Sequence, residues 1–383
     1  MMRHKREIIY LIGFLLSIPI ALTSYINSSI LEIYVNRNYI GIIYAIASVI
    51  TIIGMLVMPK ILTRLGNRRA VLAFSFLFFL SLILLALGGK NFIVLPAFIL
   101  YFVTSNLIFA SLDIFIEDFS KDSSVGGIRG AYLTIINFAW VISQLISGSI
   151  IAKSSFQGIY LLSALFMVLV CIIFSLFLRD FKDPKYEKVS ISKTIFIFWQ
   201  RKNLFKIYIL NFALKFFYAW MVIYTPIYLH EYIGFNWSEI GMIFSVMLLP
   251  FIILEFPLGR LSDRMGEKKM LIAGFLIISV STLFIPLFSV KTIWLWMTIL
   301  FITRVGAATI EIMSENYFFK SIKEEDAELL GFFRNTNPLS YIIAPLLAIP
   351  VLILVPSFSY LFFVLGAIML AGFMLSLRLK DVR

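Results

Sequence analysis

Twelve apolar stretches of roughly 20 residues recur along this chain, and that length is what a helix needs to cross the hydrocarbon core of a bilayer. They fall at about 8–30, 39–58, 70–88, 92–117, 130–152, 158–178, 207–229, 238–258, 270–289, 292–318, 331–355 and 360–378. Backbone groups in lipid must bond within their own segment, so such runs are read as helices. Of the 383 residues 61% are hydrophobic and only 14% charged, against about 25% charged in a soluble domain. A water-soluble fold has no means of hiding that much apolar surface. The expectation is an all-α membrane protein with twelve transmembrane helices. The first run follows Arg3, Lys5 and Arg6 as in a signal peptide, but it is too long and no small-residue cleavage site follows, so it is read as a retained span.

The formal charge of +12 would suggest nucleic acid in a soluble chain. Here its distribution gives another reading. Between the spans, 27 Lys and Arg lie on one side and 4 (Arg37, Lys90, Lys153 and Lys291) on the other. Cytoplasmic loops collect such residues, so both termini and the long middle loop are expected in the cytoplasm of a cell (plasma) membrane protein, with no nucleic-acid partner. Reporter fusions at Arg383 and after Lys153 should therefore give opposite signals; an extracellular C-terminus would defeat the twelve-span reading. The single cysteine, Cys171, excludes a disulfide within the chain, and His4 and His230 are too far apart in sequence to suggest a metal site. No cofactor is called for.

The middle loop, with Pro184 and a run of charges, divides the chain into a bundle at 1–178, a linker at 179–206 and a bundle at 207–383. The linker's "SISKTIFIFWQRKNLF" mixes apolar and basic residues, which suits either an interfacial helix or a solvated loop. Sliding the chain by 200 residues sets "PKILTRLGNRRAV" (Pro59–Val71) under "GRLSDRMGEKKML" (Gly259–Leu271). Arg64 meets Arg264, Gly66 meets Gly266, and Arg68 and Arg69 meet Lys268 and Lys269. Upstream, "YIGIIYA" meets "EIGMIFS". Internal duplication of a multi-span unit is a known construction of secondary transporters.

The later copy resembles the loop signature of the major facilitator superfamily, through Gly259, Leu261, Asp263, Arg264, Gly266, Lys268 and Lys269. The resemblance extends over the whole chain by its 6+6 pattern and implies two pseudo-symmetric six-helix bundles. Pro59 and Thr63 depart from the signature in the first copy. The resemblance also implies that spans 1, 4, 7 and 10 line a central cavity, and those spans carry the polar residues.

Ionisable groups inside spans are costly and are functional candidates for that reason. Asn106, Ala110, Asp113 and Glu117 in span 4 share one spacing with Arg304, Ala308, Glu311 and Glu315 in span 10. That spacing keeps each set on one helical face. Span 7 adds Asn211, Lys215, Tyr218 and Thr225; span 1 adds Ser17, Ser24 and Ser28 with Asn27 beside them. The substrate-binding candidates are Asn27, Asn106, Asn211, Lys215, Tyr218 and Arg304. Asp113, Glu117, Glu255, Glu311 and Glu315 are candidates for ion coupling or a charge network. A structural role competes with each of these. Pairing with Arg129, Arg334 and the basic loops is the favoured reading for Glu117 and Glu315, and a loop charge network for Glu255. Serines in a span often bond their own backbone. In spans 5 and 11, Ala139, Ser143, Gln144, Ser147 and Gly148 correspond to Ser340, Ala344, Pro345, Ala348 and Ile349. They resemble a worn antiporter signature, though helix packing is the favoured reading.

The function expected is secondary active transport of a small solute by alternating access, coupled to an ion, with the proton first. The chain is expected to work as a monomer among membrane lipids. Lys215 and Arg304 favour an anionic substrate; an internal ion pair involving Asp113 or Glu311 is the rival. Uptake of an anionic or polar metabolite and efflux of drug-like compounds both stay open. In this scheme Gly259, Asp263, Arg264, Gly266, Lys268, Lys269, Arg64, Gly66, Arg68 and Arg69 form a cytoplasmic gate. Asp263 would dock at the start of span 5, and Glu324, Glu325, Asp326 and Glu328 would replace the acid missing at Thr63. A membrane-embedded enzyme would need a nucleophile, base or metal set that the sequence does not offer. "LGGKNF" (Leu87–Phe92) is no phosphate-binding loop. A receptor or scaffold that keeps the fold without transport is the alternative.

Overall fold

The computed structural model describes residues 2–120, 125–177, 191–322 and 327–380, and these are helical almost throughout, with no strand among them. In chain order the α-helices are α1 (Met2–Ser24), α2 (Asn27–Tyr34), α3 (Arg37–Leu65), α4 (Asn67–Leu87), α5 (Asn91–Ser120), α6 (Val125–Lys153), α7 (Phe156–Phe177) and α8 (Ile191–Gln200). There follow α9 (Lys202–Ile227), α10 (Trp237–Leu248), α11 (Pro250–Ile253), α12 (Glu255–Met265), α13 (Glu267–Phe284), α14 (Ile293–Ser321), α15 (Ala327–Arg334), α16 (Thr336–Leu354) and α17 (Tyr360–Leu377).

Among the described residues ten helices are long and apolar enough to cross a membrane. A bent pair, Tyr10–Ser24 with Asn27–Tyr34, turned by 43°, brings the count to eleven when the two pieces are taken as one span. The expected span at 238–258 is not one continuous helix. It breaks at Leu249 and Leu254 into α10, α11 and α12, leaving Trp237–Ile253 as a shorter apolar piece. Pro250 and Pro257 explain the breaks, because each lacks the N–H that would bond a carbonyl one turn earlier.

Two compact units result, one of Met1–Lys188 with Asn236–Ser245 and the other of Val189–Phe235 with Val246–Arg383. Inside the first, α4 packs on α5 and α7, α1 on α6 and α7, and α3 on α5. Inside the second, α13 packs on α14 and α17, α9 on α16 and α17, and α11 and α12 on α14. The neighbour pattern is the same in both units. The duplication read from the loops thus extends to helix packing.

The twin loops share backbone geometry as well as sequence. Gly66 (φ 77°, ψ 156°) and Gly266 (φ 83°, ψ 147°) each end one helix and open the next. Each donates its N–H to the carbonyl four residues back, Leu62 and Ser262 respectively, at 2.8 Å. That backbone region is nearly closed to residues with a Cβ, so a glycine recurs at both places.

Apolar side chains on the outer faces have a simple cause. On α7, Leu161, Leu165, Val168, Leu169, Ile172 and Leu176 are exposed at helical spacing, a stripe suited to lipid. By contrast, α9 and α14 are the most enclosed of the ten long apolar helices, with 72% and 61% of their apolar windows buried. In the middle segment, α8 buries Phe198 against the rings of Tyr208, Phe318 and Phe332 and leaves Phe196 and Trp199 exposed.

Candidate functional site

The two most enclosed helices of the second unit carry the ionisable groups. On α9, Asn211, Lys215 and Tyr218 follow at intervals of four and three and so share a face. On α14, Arg304 and Glu311 stand two turns apart. Where these helices meet, Lys215 Nζ lies 2.6 Å from Glu311 Oε1, and the Tyr218 hydroxyl donates to Glu311 Oε2 at 2.9 Å. The side chains of Lys215 and Glu311 are 19% and 32% exposed. One carboxylate thus accepts from both residues of α9, with each oxygen held by a different donor.

Arg304 differs from Lys215. It is 1% exposed, and among the described residues its guanidinium meets no carboxylate. Its neighbours are aromatic faces, Phe217 at 5.0 Å and Tyr218 at 5.6 Å from the guanidinium carbon. One terminal nitrogen, Nη1, is buried without a hydrogen-bond partner. Lys215 Nζ also stands 5.2 Å from the Tyr218 ring, so one phenol ring has two cations around it.

Other candidates are engaged in packing. The Asn211 amide donates to Thr336 Oγ1 at 2.9 Å, tying α9 to α16. Asn106 donates to the Phe102 carbonyl of its own helix. Glu315 is half-buried, one turn beyond Glu311. In the first unit Asn27 stands just past the bend of the first span. Its Oδ1 accepts from the Tyr160 hydroxyl at 2.7 Å, close in sequence to a Thr23–Tyr101 contact of 2.6 Å. Ser17 and Ser24 bond carbonyls of their own helix. Gln144 and Ser147 of α6 donate to the carbonyls of Ala21 and Leu22, so the polar residues of that span serve helix packing. Asp113, Glu117, Glu255 and Asp263 lie on α5 and α12, and their side chains are outside the described residues, as are Arg129 and Glu324 to Asp326.

In the loop motif, Arg64, Arg69, Arg264 and Lys269 are exposed and Lys268 is half-buried, while Gly259 has open space where a Cβ would stand. Arg68 donates to the Ser175 carbonyl at 2.8 Å. Thr63, where the signature has its acid, bonds the Lys60 carbonyl of its own helix. Sequence reasoning overlooked Glu267, which is 1% exposed and holds Lys320 at 2.5 Å. Its counterpart Asn67 donates to the Ser111 carbonyl, so this repeat position ties the third helix of each half to the fourth. The matched offset of 200 was the signal that would have found it. Tyr101 and Tyr160 were missed because a tyrosine in an apolar run looks like core.

A duplicated bundle of helices long and apolar enough to cross a membrane, with an ion pair inside its spans, marks a polytopic membrane protein. The model of the Major Facilitator Superfamily matches residues 9–247 and 228–383, and the chain belongs to that superfamily of secondary transporters. No curated protein is significantly similar in sequence. Among solved structures, a point mutant of the nucleoside transporter NupG is similar in fold with a TM-score of 0.79. The alignment covers 98% of this chain and 99% of that one at 11% identity.

Proposed function

We propose that this chain is a proton-coupled secondary transporter of a small solute, residing in the cell membrane with both termini cytoplasmic, and that Glu311 carries the coupling proton. The observation that supports this is the Lys215–Glu311 pair at 2.6 Å within the spans. A charge held away from water is expensive unless it is paired. Protonating Glu311 removes the partner of Lys215, and losing the proton restores it. The pair is partly exposed, so protons can reach it. Tyr218 holds the second carboxylate oxygen and keeps the group in place in either state. The ring of that same tyrosine faces both cations, Lys215 and Arg304, and Glu315 is the next acid along α14.

In proteoliposomes, the wild type should concentrate its solute under an imposed pH gradient. Glu311→Gln should lose that accumulation by about tenfold or more while solute exchange persists. Normal accumulation in the variant would remove Glu311 from coupling. Binding without any flux in the wild type would favour the receptor reading.

A further inference from the structure

We propose that Arg304 is the charged end of a binding site for a small organic anion carrying one carboxylate or phosphate-type group. The proposal rests on the chain being a transporter and names the class of solute.

The case begins with the number of charges. At the meeting of α9 and α14 the described side chains supply two cations, Lys215 and Arg304, and one acid, Glu311. Both oxygens of that acid are taken, by Lys215 and Tyr218. Arg304 stands seven residues earlier on α14, which is about 10 Å along the axis. Glu315 is further still, at about 16 Å. The site therefore keeps one positive charge that the described residues leave without a counter-charge.

Side-chain chemistry decides which cation is left over. Lys215 holds the carboxylate of Glu311, and the guanidinium left over stays charged under any physiological condition. Burial without an opposite charge is costly, and the ring faces of Phe217 and Tyr218 offset only part of it. The buried Nη1 without a hydrogen-bond partner is a second and independent deficit, since an unmet buried donor costs stability. One ligand type answers both needs at once. An oxyanion supplies the missing charge and a pair of acceptors that fit the planar fork of the guanidinium. The rings beside it provide apolar walls for the organic part of the solute.

The test measures the melting temperature of the purified full-length protein, wild type and Arg304→Met, so that solute identity need not be known. The probes are monocarboxylates and phosphate monoesters, each beside its neutral amide or alcohol, including uridine monophosphate beside uridine. At ten times its dissociation constant, an anion that binds should raise the wild-type melting temperature by about 2 °C. Its neutral partner should not, and Arg304→Met should lose the shift. Without any ligand, Arg304→Met should melt no lower than the wild type, because it removes a charge that no described acid answers and keeps an apolar stem. An anion shift that survives in Arg304→Met, or shifts from the neutral members alone, overturns the proposal. So does a panel without effect, and a lower melting temperature for Arg304→Met beside it would make Arg304 a structural cation. Failure of the coupling reading would show separately, as normal pH-driven accumulation in Glu311→Gln.

Discussion

Glu311→Lys is expected to abolish transport and sharply reduce folded protein, and Lys215→Glu in the same chain is expected to restore much of the folded fraction. The single change places a third cation where Lys215 and Arg304 already approach the Tyr218 ring. Breaking a fully buried pair by removing one partner costs about 3–5 kcal/mol. Lys215 and Glu311 are partly exposed, which lowers that part of the cost, but like-charge repulsion adds to it. Reversing both partners re-forms an ion pair across α9 and α14, although Tyr218 then loses its carboxylate acceptor. Recovery of fluorescence-detected folded protein in the double variant, against its absence in the single one, is the measurement. Equal recovery of both variants would mean that the pair does not hold these helices together. Restored folding without pH-driven accumulation would separate the structural role of the pair from its role in coupling.

Gly148→Leu is the second change with a large expected effect. A Cβ at Gly148 would stand 2.4 Å from the Trp237 carbonyl and 2.8 Å from Gly241 Cα, and both are backbone atoms that cannot turn aside. A Cβ at Gly241 would likewise meet the Gln144 carbonyl at 2.6 Å. The two glycines let α6 and α10 touch backbone to backbone, as small residues allow in membrane helices. The Ser245 hydroxyl, donating to the Val141 carbonyl at 2.8 Å, continues the same seam. Overpacking of this kind costs about 1–3 kcal/mol. A cysteine placed at Ser245, buried in the native protein, should then react with a thiol reagent roughly tenfold to a hundredfold faster, and transport should fall with it. Unchanged labelling with full transport would show that α10 does not depend on this contact.

Much of the architecture was legible because its causes are local. An apolar run of bilayer length leaves a chain no choice but helix, and the spans read at 39–58, 270–289 and 360–378 all lie within or across helices of the structure. The twin glycines Gly66 and Gly266 were legible for a similar reason, since one residue type serves that backbone conformation. The broken span at α10 to α12 was less visible: Pro250 and Pro257 announce interruptions, but not whether neighbours will hold the pieces in line.

The site shows where sequence stops. Lys215 and Arg304 look alike in it, two cations deep in apolar runs, and Glu311 is one acid among several at helical spacing. Only the packing of α9 against α14 decides that Lys215 receives the carboxylate and Arg304 receives aromatic faces. Likewise Asn211 and Asn106 shared a polar face with the other candidates, yet one bonds across to Thr336 and the other its own helix. Sequence periodicity determines which residues share a face, because that follows from the pitch of one helix. Which residue on the facing helix answers each of them depends on rotation and depth between helices, and those are settled by side-chain packing over the whole unit.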